Sequence, residues 1–142
     1  MGSPRGHLGR VLEIGTGCGY QAALLLLLGR SVVSIERLKG LHDKARENLV
    51  GHRHGDLRLV YGDGRLGHAP RAPYDSIVAA AGGEDLPPAW LDQLAVGGRL
   101  VAPMQDGARG GQVLLVVDRQ PEGLVRQWRD AVHFVPLKSG AE

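Results

Sequence analysis

The chain has 142 residues, enough for one domain with a buried core, and its 43% hydrophobic and 23% charged residues argue against a disordered chain. Its 22 glycines follow no three-residue period, which excludes collagen, and its one cysteine, Cys18, excludes an internal disulfide. The formal charge of +2 comes from 17 basic residues interleaved with 15 acidic ones, which argues against an electrostatic nucleic-acid footprint.

Val11-Leu12-Glu13-Ile14 is a short apolar run ending in glycines and reads as a buried strand. Tyr20–Leu28 follows as a helix that is apolar all round, stopped by Gly29; apolarity on every side predicts a buried helix. Its longest apolar run, Ala22–Leu28, is far shorter than the roughly 20 residues a bilayer crossing needs. Ser31–Ile35 is β-branched and brief, a second strand. From Leu38 to Val50, Leu38, Leu41, Ala45 and Leu49 recur at helical spacing with charges between them, which predicts an amphipathic helix. His52 and His54, too few to hold zinc, read as a solvated loop.

Leu57–Tyr61 gives a third strand and Gly62–Pro73 a loop punctuated by glycine and proline. Tyr74–Ala80 gives a fourth strand. Pro87-Pro88 opens a helix through Leu94, closed by Gly97-Gly98. Arg99–Pro103 makes a fifth strand, Gln112–Asp118 a sixth, and Trp128–Leu137, with Val132, Phe134 and Leu137, a last one. A turn at Gln120–Gly123 joins the final two as an antiparallel hairpin. Strand–helix alternation at the front predicts βαβ units on a mostly parallel sheet, an α/β fold.

The stretch richest in chemistry is Glu13-Ile14-Gly15-Thr16-Gly17-Cys18-Gly19-Tyr20, between a strand and a helix. Glycines there let the backbone turn sharply and a ligand approach closely, at the strand end where open α/β sheets bind ligands. Glu36 closes the second strand, where a carboxylate meets ribose hydroxyls, with Arg37 beside it. Asp63-Gly64 follows the third strand, placed to accept the amino group of an adenine. These features together predict an adenosine-type ligand.

Which adenosine ligand follows from spacing and charge. The nicotinamide fingerprint is G-x-G-x-x-G, with a pyrophosphate on the helix N-terminus. Here the spacing is G-x-G-x-G, and Tyr20 occupies the third glycine's place. Glu13, two residues before the loop, would repel a pyrophosphate. It suits the ammonium and sulfonium of S-adenosylmethionine, one such charge pair being worth roughly 4 kcal/mol at 4 Å before desolvation.

The segments VLEIGTGCGYQAALL, SIERLKGL, YGDGRLG, APYDSIVAAA, LDQLAVGGRLVAPM and FVPL resemble the protein-L-isoaspartate O-methyltransferase family, over about Val11 to Leu137. The resemblance implies a Rossmann-like class I methyltransferase fold, with a mostly parallel seven-stranded sheet and a C-terminal antiparallel hairpin. It implies methyl transfer from S-adenosylmethionine to isoaspartyl (or D-aspartyl) residues of damaged proteins, leaving S-adenosylhomocysteine. Carried over motif by motif, Glu13 and Gly15, Thr16, Gly17, Cys18 and Gly19 hold the methionine part, Glu36 the ribose, and Asp63-Gly64 the adenine.

The family also carries a segment resembling PIGxGQTIS upstream of the first strand, with the serine of its active site. None of the ten residues before Val11 matches it, and Ser3 is not that serine. Met1–Pro4 fits a start placed inside a longer reading frame. The expected organisation is therefore a short lead (1–10), a cofactor-binding domain (11–138) and a tail (139–142). The expected partners are isoaspartyl proteins or peptides, with no nucleic acid and no membrane. The chain is expected to be cytoplasmic, to self-associate through an uncovered sheet face, and to be slow in catalysis.

No acid, base or metal is required, because a carboxylate acceptor is already ionised at neutral pH; no catalytic residue is assigned. Cys18 reads as a small packing residue, Asp75 and Asp92 as caps or solvent-facing acids, and Trp90 and Trp128 as packing. Arg65 and His68 fall near the expected pocket. The competing expectations are a non-catalytic cofactor-binding remnant, a methyltransferase with another acceptor, and, more distantly, a nicotinamide dehydrogenase.

Overall fold

The computed structural model describes residues 8–16, 19–49, 56–80, 85–105 and 111–130. In chain order the elements are β1 (Gly9–Ile14), α1 (Tyr20–Leu28), β2 (Gly29–Glu36), α2 (Lys39–Leu49), β3 (Asp56–Tyr61), β4 (Tyr74–Ala79), α3 (Pro88–Asp92), β5 (Leu94–Gln105), β6 (Gln112–Gln120) and β7 (Gly123–Asp130). They form one seven-stranded sheet in the order β3-β2-β1-β4-β5-β6-β7. The first five strands run parallel, β6 returns antiparallel to β5, and β7 pairs antiparallel with β6. This is the mixed sheet with a terminal hairpin that the sequence predicts.

The chain builds outward from β1 to β3, then returns to the other side of β1 to place β4. That reversal leaves a crevice above the carboxyl ends of β1 and β4, where sheets of this kind bind ligands. Successive residues of β1 face opposite sides of the sheet. Leu12 and Ile14 join the larger core with Ile35, Ile77, Leu100 and Trp90. Val11 packs with Val32 and Leu25 of α1 in a smaller cluster on the other face.

Four expectations are corrected. First, α1 is apolar on every side but not buried on every side: Ala22 and Leu25 face the sheet, while Leu24, Leu27 and Leu28 are exposed. Second, α2 buries His42, Ala45 and Leu49, and Leu38 and Leu41 lie on the exposed side. A histidine therefore takes a place in the stripe read as leucine.

Third, the helix at Pro88 ends at Asp92, and Gly97-Gly98 does not close it but lies inside β5. The register with β4 jumps there, from Tyr74 opposite Leu94 to Ser76 opposite Arg99. A side chain on Gly98 would meet the carbonyls of Ala95 and Asp75 at 2.9 Å, and Gly97 has φ of +87°, so the irregular stretch demands glycine. Fourth, β7 begins at Gly123 rather than Trp128; Val132, Phe134 and Leu137 lie outside the described residues. Trp128 is exposed on this edge strand, whereas Trp90 is buried. Among the described residues, no helix is long and apolar enough to cross a membrane.

Candidate functional site

A cleft of about 640 Å³ opens at the crevice, within the range of small-molecule sites. Its walls come from the ends of four strands. Ile14 and Gly15 follow from β1, Ile35, Glu36 and Arg37 from β2, Asp63, Gly64 and Arg65 from beyond β3, and Ala80 from β4. The far side is the approach to α3, from Asp85 to Pro88, with Trp90. Among the described residues the cleft thus carries three acids, Glu36, Asp63 and Asp85, against two cations, Arg37 and Arg65.

Gly15 makes the turn at the mouth. Its φ is +96°, and a Cβ there would stand 3.0 Å from that of Ala80 on the neighbouring strand end. The amides of Gly15 and Thr16 both donate to the carbonyl of Ile35, at 2.8 and 3.2 Å, which folds the loop back over β2. Gly19 then begins α1 with φ of +95° and sits against Leu49 and Ala45 of α2, where a Cβ would be crowded. Gly17 and Cys18 lie outside the described residues.

On β2, Glu36 is buried at the strand's end, and its Oε2 accepts from the Leu38 amide at 3.1 Å. The carbonyl of Glu36 receives the Gly62 amide at 3.0 Å, which ties the end of β2 to the loop bearing Asp63. Asp63 caps the short helical turn Gly64–Leu66, its Oδ1 accepting from the Arg65 amide at 2.9 Å.

That loop is fixed from outside its own sequence. The indole Nε1 of Trp90 donates to the Gly64 carbonyl at 2.7 Å. Gln93 donates to the Leu66 carbonyl at 3.0 Å and accepts from the His68 amide at 2.8 Å. Tyr74 donates its hydroxyl proton to the His68 carbonyl at 2.6 Å. Gly64 is held so close to β1 that a Cβ would fall 2.5 Å from the Ile14 side chain. The absence of a side chain there lets the loop pack directly on β1.

Glu13 is different from the other acids. It is 1% exposed and does not belong to the cleft wall, lying one residue behind Ile14. Ser34 donates to its Oε1 at 2.5 Å, and the Ser34 and Thr16 hydroxyls are 2.6 Å apart. The second oxygen, Oε2, is buried without a hydrogen-bond partner among the described residues. Burial pushes the carboxyl up to about 7, Ser34 opposes that shift, and Glu36 adds to it by repulsion.

Of the residues the sequence singles out, Gly15, Glu36, Arg37, Asp63 and Gly64 line the cleft. Glu13, Thr16 and Gly19 are buried behind it. The sequence reads Trp90 only as packing and does not single out Gln93, because their partners in the loop are 25 to 27 residues away; the one local signal is Pro87-Pro88, which starts α3 at the rim. An adenosine-type ligand fits on two observations: the cleft lined by Glu36, Asp63 and Gly64 at adjacent strand ends, and the Glu13 oxygen beside the loop that lacks a partner among the described residues, which suits a cation rather than a pyrophosphate.

Comparison with known proteins adds the following. A family model described as Protein-L-isoaspartate(D-aspartate) O-methyltransferase matches residues 6–142. A protein-L-isoaspartate O-methyltransferase of Methylibium petroleiphilum is 66% identical over 140 residues, which are 98% of this chain and 52% of that protein. One of Leptothrix cholodnii is 67% identical over 135 residues, 94% of this chain and 48% of that protein. The chain thus spans about half the length of these curated relatives. A solved protein-L-isoaspartate O-methyltransferase superposes with a TM-score of 0.81 at 30% identity, over 92% of this chain and 42% of that one. A Plasmodium falciparum protein solved with S-adenosyl-L-homocysteine shares the fold, with a TM-score of 0.68 at 22% identity, over 89% of this chain and 64% of that one.

Proposed function

Because the chain belongs to the protein-L-isoaspartate(D-aspartate) O-methyltransferase family, we propose that its cleft binds S-adenosylmethionine and serves methyl transfer to the carboxylate of isoaspartyl (or D-aspartyl) residues in damaged proteins. The observation that carries this is the cleft itself, at the β1/β4 reversal, with Glu36 and Asp63-Gly64 on adjacent strand ends. When bound, S-adenosylmethionine supplies a methyl group on a sulfonium, open to direct displacement by an acceptor oxygen.

The residues of the chain bind and orient. Glu36, held at the end of β2, accepts from ribose hydroxyls, with Arg37 flanking it. Asp63 and the open backbone at Gly64 receive the adenine. Gly15 to Gly19 carry the chain around the methionine part, and Glu13 supplies negative charge behind that loop. The acceptor carboxylate is ionised at neutral pH, so no side chain has to remove a proton. Rate comes from alignment, which can supply roughly 7–11 kcal/mol.

Charges of both signs are interleaved along the chain, giving no stripe for phosphates, so the acceptor is placed among proteins and peptides. One cysteine in 142 residues suits the reducing cytoplasm.

The test is transfer of a radiolabelled methyl group to an isoaspartyl peptide, with the aspartyl peptide as control. Label should enter the isoaspartyl peptide alone. Equal labelling of both peptides would point to another acceptor.

Self-association, expected through an uncovered sheet face, is proposed instead for the exposed apolar surface of α1, where Leu24, Leu27 and Leu28 are 47%, 71% and 47% exposed. Sedimentation velocity should show dimers or larger species, and Leu27→Glu should shift them towards monomer. A wild-type chain monomeric at high concentration would remove this proposal.

A further inference from the structure

We infer that Ser34 and Thr16 are positioning residues for Glu13, and that their hydroxyl chain makes cofactor binding release a proton from the Glu13 carboxyl. This rests on the cofactor reading above. The three side chains form a closed cluster under the glycine loop: Glu13 is 1%, Ser34 0% and Thr16 3% exposed. Ser34 spends its one hydroxyl proton on Glu13 Oε1, so Thr16 is the donor in the 2.6 Å contact between the two hydroxyls. One carboxyl oxygen is thereby fixed from β2 and the loop, while Oε2 has no partner among the described residues.

A buried carboxylate with one oxygen unsatisfied is poorly stabilised, so the protonated form is favoured in the empty protein. The burial that pushes this group up to about 7 acts in the same direction. Among the described residues, Arg37 and Arg65 line the adjoining cleft, and no cation stands among the groups that shift the Glu13 carboxyl. On β2 the charged neighbour is Glu36, which repels. On β4, Val78 stands opposite, α1 carries no charged residue, and α2 buries His42, Ala45 and Leu49.

A ligand ammonium arriving at the adjacent loop changes that balance. A unit positive charge within several ångströms stabilises the ionised form by coulombic attraction, and no direct contact is needed. The O–H bond of the Glu13 carboxyl then breaks, its electron pair stays on the carboxylate, and the proton leaves to buffer. The ligand binds more tightly as pH rises towards the carboxyl's midpoint, by up to about 10-fold per pH unit, and its affinity levels off above that midpoint.

The experiment is calorimetry in two buffers of different ionisation heat at pH 7, which counts protons released per ligand bound. S-adenosylhomocysteine, which carries the ammonium, should release about half to one proton. 5′-Methylthioadenosine, which lacks it, should bind with none, and Glu13→Gln should abolish the release for S-adenosylhomocysteine. Ser34→Ala removes the hydrogen bond that favours the ionised form, and should move the pH profile of affinity up by about one unit. The loss would be about 10-fold at pH 6.5 and would vanish near pH 9, with Ser34→Thr restoring the wild-type profile. A merely structural serine would weaken binding equally at every pH. Binding of S-adenosylhomocysteine without proton release, or with undiminished release in Glu13→Gln, overturns the inference alone. If neither ligand binds, the cofactor reading falls and the inference falls with it.

Discussion

Between pH 4.5 and pH 8 the chain should lose about 3 kcal/mol of stability relative to its Glu13→Gln variant, as measured by urea unfolding. The cause is the buried carboxyl of Glu13, whose midpoint rises from 4.5 to about 7 on folding. Between those values the folded chain holds a proton that the unfolded chain has released. Stability from this group is therefore fully present below pH 4.5, falls as pH rises towards 7, and is flat beyond about 8. His68 works with the opposite sign. Burial and the charges of Arg58 and Arg71 push it down, so its neutral form is favoured by folding and stability rises with pH through its range. The difference between wild type and Glu13→Gln at each pH cancels that contribution. Glutamine keeps an acceptor for Ser34, so the comparison isolates charge. Parallel stability profiles for the two proteins would mean that Glu13 is not buried as described.

The second large effect belongs to Glu36. Glu36→Ala should weaken S-adenosylhomocysteine binding roughly 10- to 150-fold, the equivalent of about 1.5–3 kcal/mol, because hydrogen bonds to a charged acceptor are worth about that much. Alanine also frees the Leu38 amide that Glu36 now accepts, so the variant needs a companion. Glu36→Gln keeps an acceptor for that amide and should lose only part of the affinity. Calorimetry on both, with circular dichroism to confirm folding, measures the effect. Unchanged affinity in a folded Glu36→Ala would place the ribose elsewhere.

Much of the framework was legible because its signals are local. The β-branched run at Ser31–Ile35, the helix formers at Tyr20–Leu28 and the glycines at 15 and 19 each specify their own backbone. Their order along the chain places Glu36 and Asp63 at adjacent strand ends, as found. What stayed hidden depends on contacts distant in sequence. Gly97-Gly98 resembles a helix stop, yet its glycines answer to the carbonyl of Asp75 across the sheet. Trp90 resembles simple packing, yet its indole holds the Gly64 carbonyl. The edge strand β7, Gly123–Asp130, has exposed residues in succession, so it lacks the alternation that marks a half-buried strand. Glu13 was read as an acid facing a ligand cation. Sequence gave no sign that Ser34 would cover one of its oxygens, because the register that places them side by side is a property of the sheet.

The most direct test of the cleft's assignment is titration of the 142-residue chain with S-adenosylhomocysteine and, separately, with NAD, followed by calorimetry and by melting temperature. Glu13 behind a G-x-G-x-G loop disfavours a pyrophosphate, and Gly64 with Asp63 and Glu36 accommodates an adenosine. S-adenosylhomocysteine should therefore bind and raise the melting temperature while NAD does neither. Equal stabilisation by both, or stabilisation by NAD alone, would contradict the assignment.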